Sequence, residues 1–137
     1  MASKRVYLGL DVGTKRIGAA IGDSIARIAQ PLATINVGEN EAGQIHTYIT
    51  DLEVTDVVIG RPRNQAGDTT NQTKLVEEFV LSTLKSDEYA VHWQDESVTS
   101  VIAEERLRAR KKPFSKQDID AEAAAIILQD FLESLHG

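Results

Sequence analysis

Asp11 follows the apolar run Val6-Tyr-Leu-Gly-Leu10 and opens a glycine turn with two basic residues, Asp11-Val-Gly-Thr-Lys-Arg16. The run has the composition of a buried strand, so it delivers a carboxylate to the end of a core element. Burying an unpaired carboxylate is costly, and a partner or a metal ion relieves that cost. Turn capping is the commoner role for an Asp in such a place. Two features point beyond it. The preceding residues are apolar enough to be covered on both sides. The facing segment, Ile17-Gly-Ala-Ala-Ile21, is small enough for a ligand and its backbone to approach.

Glu96 stands in a similar place, after the strand-like Val91-His-Trp-Gln94. Ligands in α/β sheets gather at the carboxyl ends of strands. Acids at this point can also begin a helix, where they meet the positive end of its dipole. A third candidate lies in Ser115-Lys-Gln-Asp-Ile-Asp-Ala-Glu122, a helix start with three acids. Helical steps of four, seven and eleven from Asp120 reach Ala124, Ile127 and Phe131, all apolar. The same steps from Glu122 reach Ile126, Gln129 and Glu133, a solvent-leaning face, and those from Asp118 reach a mixed one. Asp120 is therefore the acid expected to face a sheet.

Asp11, Glu96 and Asp120 together would form a hard, oxygen-only site suited to Mg²⁺ or Mn²⁺. Such ions promote in-line attack of water on a phosphodiester. There is no cysteine, and His46, His92 and His136 are scattered without ligand spacing. They read as structural or exposed. Arg61, Arg63 and Asn64 follow a strand end and fall on the same rim as Asp11 and Glu96. Lys15, Arg16 and the run containing Arg106 and Arg110 could add phosphate contacts, although a solvated basic face explains that run equally well.

Two other phosphate readings arise from Gly9–Lys15. A P-loop needs four residues between its glycines, then Gly-Lys-Ser/Thr before a helix. Here the gap is three and a strand follows, which excludes it. Asp-x-Gly-Thr between strands also resembles the first phosphate loop of actin-like ATPases. Those need a second such hairpin, for which this length leaves no room.

The elements that must position these residues follow from periodicity. Strands are expected at Val6–Asp11, Ile17–Gly22 and Ile28–Ile35, the first two as a hairpin. Ile45, Tyr48, Ile49 and Leu52 mark a helix, and Asp56-Val-Val-Ile-Gly60 a short buried strand. Thr69 and Gln72 fit a capping box before the stripe Leu75, Val76, Phe79, Val80 and Leu84. After the strand at 91–94, a helix from about Val98 ends near Lys112-Pro113. The last helix buries Ala121, Ala124, Ala125, Leu128, Phe131, Leu132 and Leu135. The order implies a mixed five-stranded sheet, its first three strands antiparallel and the rest parallel, flanked by helices.

The 137 residues, 42% apolar and 26% charged, suit one domain spanning 1–137 with a sizeable core. No stretch is apolar enough to span a bilayer and no signal region follows Met1, so a cytoplasmic location is expected. The net charge of −6 argues against nonspecific coating of nucleic acid, but not against a nuclease with a local basic rim.

Four segments carry a family resemblance: Leu10–Gly18, Ile59–Gly67, Gln94-Asp-Glu96 with Thr99, and Ile119–Leu128. Together they resemble the bacterial YqgF family, also called RuvX, over essentially the whole chain. That resemblance implies the RNase H-like fold of RuvC-type resolvases. It also implies that Asp11, Glu96 and Asp120 are catalytic carboxylates that bind metal, and that the Gly60–Gly67 loop borders the site. The family is described as a nuclease maturing the 5′ end of pre-16S ribosomal RNA and was earlier proposed to resolve Holliday junctions. Structured RNA, with branched DNA as the alternative, is then the expected partner, within pre-ribosomal particles and with the chain as monomer or homodimer. A phosphate-loop ATPase and a non-catalytic assembly factor are the more distant alternatives. Two positions depart from the family pattern: Ser97 replaces an arginine, and Arg61 replaces an apolar residue.

Overall fold

The computed structural model describes residues 4–62, 71–84, 87–96 and 99–135, without the side chains of residues 62, 72, 96, 99 and 100. The elements run β1 (Val6–Val12), β2 (Arg16–Asp23), β3 (Gln30–Asn36), α1 (Glu41–Asp51), β4 (Asp56–Pro62), α2 (Asn71–Thr83), β5 (Ala90–Glu96), α3 (Thr99–Ala109) and α4 (Lys116–Ser134). The sheet order is β3-β2-β1-β4-β5. β1 pairs antiparallel with β2, and β2 with β3, whereas β4 runs parallel to both β1 and β5. The expected mixed sheet, antiparallel and then parallel with flanking helices, is the observed one.

Strand alternation sorts β1 into two faces. Leu8, Leu10 and Val12 join Ile17, Ile35, Ile45, Val57, Ile59 and Val76 in the larger core cluster, with α1 and α2. Tyr7 belongs to the other face, with Ala20, Val58, Ala124, Leu128 and Phe131. α4 covers that second face, and glycines let it lie close. A Cβ on Gly9 would meet Leu128 Cβ at 2.8 Å, and one on Gly60 would meet Ile127 Cδ1 at 2.5 Å.

The start of α4 is fixed by a capping box. Ser115 Oγ accepts from the Asp118 backbone N–H, and the Asp118 carboxylate accepts from the Ser115 N–H at 2.8 Å. Asp118 is thus the capping acid of the three. α3 packs along a second side of α4, where Ala103, Ala123 and Ile126 form a cluster. Residues 121 to 128 are consequently buried all round.

Two expectations are corrected, the first by this second cover. Glu122, assigned by spacing to a solvent face, is only 2% exposed and accepts from both terminal nitrogens of Arg110, at 2.8 and 3.3 Å. Leu135, expected on the buried face, is the C-cap of the helix and is 49% exposed. Thr69 and its capping box lie outside the described residues.

The amino end of the sheet is held by Asp56. Its carboxylate meets Arg5 and His92, each at 2.7 Å. Burial opposes its ionisation, but hydrogen bonds from Arg5, Thr55 and His92 hold the carboxyl below its usual range.

Candidate active site

Asp11 lies at the carboxyl end of β1, one residue before the strand ends. Its register partner across the hairpin is Gly18. The hairpin turn closes with the Gly13 N–H donating to the Arg16 carbonyl at 3.0 Å. A Cβ on Gly18 would stand 1.9 Å from the Asp120 carbonyl oxygen and 2.4 Å from its carbonyl carbon. The small residues facing Asp11 therefore admit the backbone of α4, where the sequence suggested a ligand. That close approach sets Asp120 beside Asp11.

The two acids sense each other. Burial first, then the negative charge of Asp120, pushes the Asp11 carboxyl up to about 6. The Arg16 Nε donates to Asp120 Oδ2, and both side chains are partly buried. Asp11, Asp120 and Arg16 thus form one charged group, drawn from β1, α4 and β2.

Glu96 ends β5 in register with Pro62 of β4, and its side chain lies outside the described residues, as do Arg63 and Asn64. Among the described residues, no three acids or histidines gather into a metal site. The donors that are brought together, two carboxylates with a strained charge balance, have the chemistry of a hard divalent-cation site.

Other candidates sit elsewhere. The Arg61 guanidinium carbon lies 4.2 Å from the centroid of the Trp93 ring, a cation–π stack. Trp93 packs against the core cluster under α1 and α2, so Arg61 leans to the sheet face opposite Asp11. Its Nε is buried and has no hydrogen-bond partner. Lys15 is exposed beside Arg16, and Arg106 is exposed on α3. Arg110 is engaged by Glu122, with its side chain half exposed. His92 binds Asp56, His46 is exposed, and His136 lies outside the described residues.

Across the sheet from Asp11, the turn borders a mainly apolar cleft of about 470 Å³ lined by Val12, Thr14, Phe79 and Glu78 among others. That lining does not make a phosphate cradle. Sequence reasoning missed Arg16 as the partner of Asp120 and Trp93 as the platform of Arg61.

Residues 5–134 match the family profile described as RuvX, Holliday junction resolvase. This chain belongs to the RuvX family. It is 40% identical over 134 residues to a Chloroflexus aurantiacus protein named "Putative pre-16S rRNA nuclease", covering 95% of this chain and 88% of that protein. A Synechocystis protein of the same name is 38% identical over 138 residues, covering 97% and 90%. Among solved structures, Thermus thermophilus RuvC in complex with a Holliday junction substrate aligns with a TM-score of 0.57 at 16% identity, over 97% of this chain and 96% of that one. The Fowlpox virus resolvase bound to Holliday junction DNA aligns at 0.61 with 12% identity, over 96% and 99%. At these identities the two structures establish the shared RNase H-like resolvase fold. Among the described residues, no helix is long and apolar enough to cross a membrane.

Proposed function

We propose that this RuvX-family chain is a divalent-metal-dependent nuclease that trims precursor 16S rRNA at its 5′ end. The observation that carries the reading is the coupled pair Asp11 and Asp120 at the carboxyl rim of the sheet. Names of relatives at about 40% identity supply the substrate class.

Asp11 and Asp120 would hold the metal, with Glu96 as the third ligand. Glu96 ends the strand next but one to β1, four residues after His92, whose ring meets Phe131 of α4. When bound, Mg²⁺ or Mn²⁺ supplies charge stabilisation for water attack on the phosphodiester. The chain's own residues fix the geometry. The Gly18 contact seats Asp120, the β1–β2 pairing seats Asp11, and Lys15 offers a cation at the turn for the nucleic-acid backbone.

The test compares labelled precursor 16S rRNA with a four-way DNA junction, each with Mn²⁺ or chelator. The parent is expected to cut the RNA with Mn²⁺ only, and Asp11→Asn to lose at least about 10²-fold in rate while melting cooperatively at a temperature no lower than the parent's. Equal cutting by Asp11→Asn sinks the reading. Junction cleavage without RNA cleavage transfers the site to the DNA substrate that the family description names.

A further inference from the structure

Arg16 would ordinarily be assigned to phosphate contact, because it follows a Gly-Thr-Lys turn. The structure gives its guanidinium a different partner. Its Nε donates to Oδ2 of Asp120. The Arg16 side chain is 31% exposed and that of Asp120 is 21% exposed, so water only partly screens the pair. Asp11 lies beside them, as the register partner of Gly18, which is packed against the Asp120 backbone. The local balance is thus two carboxylates against one fixed cation.

A divalent ion seeking carboxylate oxygens meets Asp120 already engaged. A carboxylate has about four lone-pair sites, so Arg16 need not leave the pocket entirely. It must still share its oxygen with a double positive charge only ångströms away, which is repulsive. Arg16 is the first residue of β2, at the edge of the hairpin turn, and its partly exposed side chain is within reach of a backbone phosphate. The partner waiting there is the nucleic-acid backbone. Arginine suits that exchange because its planar fork accepts carboxylate and phosphate alike.

We propose that Arg16 couples metal loading to nucleic-acid binding, by holding Asp120 until a backbone phosphate takes its guanidinium. The proposal rests on the nuclease reading of the site, but its central claim concerns metal affinity rather than cleavage. Nucleic acid should tighten metal binding, and metal should tighten nucleic-acid binding by the same factor. The turn would then keep the protein weakly metallated until substrate arrives.

The experiment is calorimetric titration of the full chain with Mn²⁺ at pH 8, for the parent, Arg16→Gln, Arg16→Lys and Asp11→Asn. Each is run alone and with a phosphorothioate RNA hairpin, and thermal melting confirms folding. Without RNA, Arg16→Gln is expected to bind Mn²⁺ about tenfold more tightly than the parent, since one charged hydrogen bond no longer competes. With RNA, the parent should tighten and Arg16→Gln should not. Arg16→Lys retains the charge and should stay nearer the parent, and Arg16→Ala, which also removes the charge, replaces Arg16→Gln if the latter does not fold. Equal or weaker Mn²⁺ affinity in the folded charge-removing Arg16 variant overturns the proposal. So does RNA-induced tightening that survives in Arg16→Gln. Asp11→Asn separates the two ideas: if it binds Mn²⁺ as the parent does, the metal-site reading fails whatever Arg16 does.

Discussion

Ionising Asp11 creates a second negative charge beside Asp120, at a position with little access to water. Its carboxyl accordingly titrates near 6, against 3.8 for an unperturbed Asp. The native state holds this proton more tightly than the unfolded chain does. Protonated Asp11 therefore contributes stability that is complete below about pH 4 and lost as pH rises through about 6. The difference corresponds to an upper bound of about 3 kcal/mol. Asp11→Asn removes the titration without changing shape, so the variant should match the parent in urea unfolding at pH 4. At pH 7.5, with chelator, it should be more stable by up to about 3 kcal/mol. A constant difference between the two pH values would show that Asp11 ionises freely. Metal binding by the parent should strengthen over the same interval, as the proton leaves. The sequence made Asp11 legible as a buried strand-end acid. It could not show Arg16 at Asp120, because that bond spans 104 positions and depends on where α4 begins.

At the scale of elements, the site depends on how closely α4 approaches the hairpin. Gly18 is the point of contact, and what it meets is backbone, which cannot rotate aside as a side chain can. Gly18→Ala should displace the start of α4 and cost about 3 kcal/mol, with Mn²⁺ binding lost even in folded molecules. Gly22→Ala is the comparison. Its Cβ would meet the Ile28 carbonyl oxygen at 3.1 Å and Leu132 Cδ1 at 3.2 Å, contacts that small adjustments relieve. It should cost less than half as much and keep Mn²⁺ binding. Equal losses in denaturant midpoint and metal affinity would mean that general packing, rather than the seat of Asp120, governs the site. Most strands and helices were readable here because one-sided apolar periodicity identifies an element with one covered face. The failure at Glu122 has the same origin. α4 is covered by both the sheet and α3, and a buried Glu paired with Arg110 looks like a surface Glu until that second cover is known. Arg110 was read as a phosphate contact for the same reason, since its partner lies twelve residues away.

For the whole molecule, the decisive quantities are one site per chain and a net charge of −6. Asp11 and Asp120 both come from the same chain, so a monomer holds the described part of the site. Symmetric resolution of a four-way junction needs two such sites related by a two-fold axis. Two copies of this chain repel at low salt. Among the described residues, the large exposed apolar side chains are spread over different elements, with Ile25 and Ile28 between β2 and β3, Leu81 on α2, and Val101 on α3. Several arginines that could meet phosphate are also engaged internally, at Glu104, Glu122 and Asp56. On the proposed function, one site per chain suits cutting one strand per encounter. On a supercoiled plasmid bearing a cruciform, the protein should give nicked circles first and linear product only later, through independent second cuts. Nicking should rise in first order with protein concentration, and sedimentation should show a monomer at that concentration. Linear product forming without a nicked intermediate, at a rate rising with the square of concentration, would instead establish a dimeric junction resolvase.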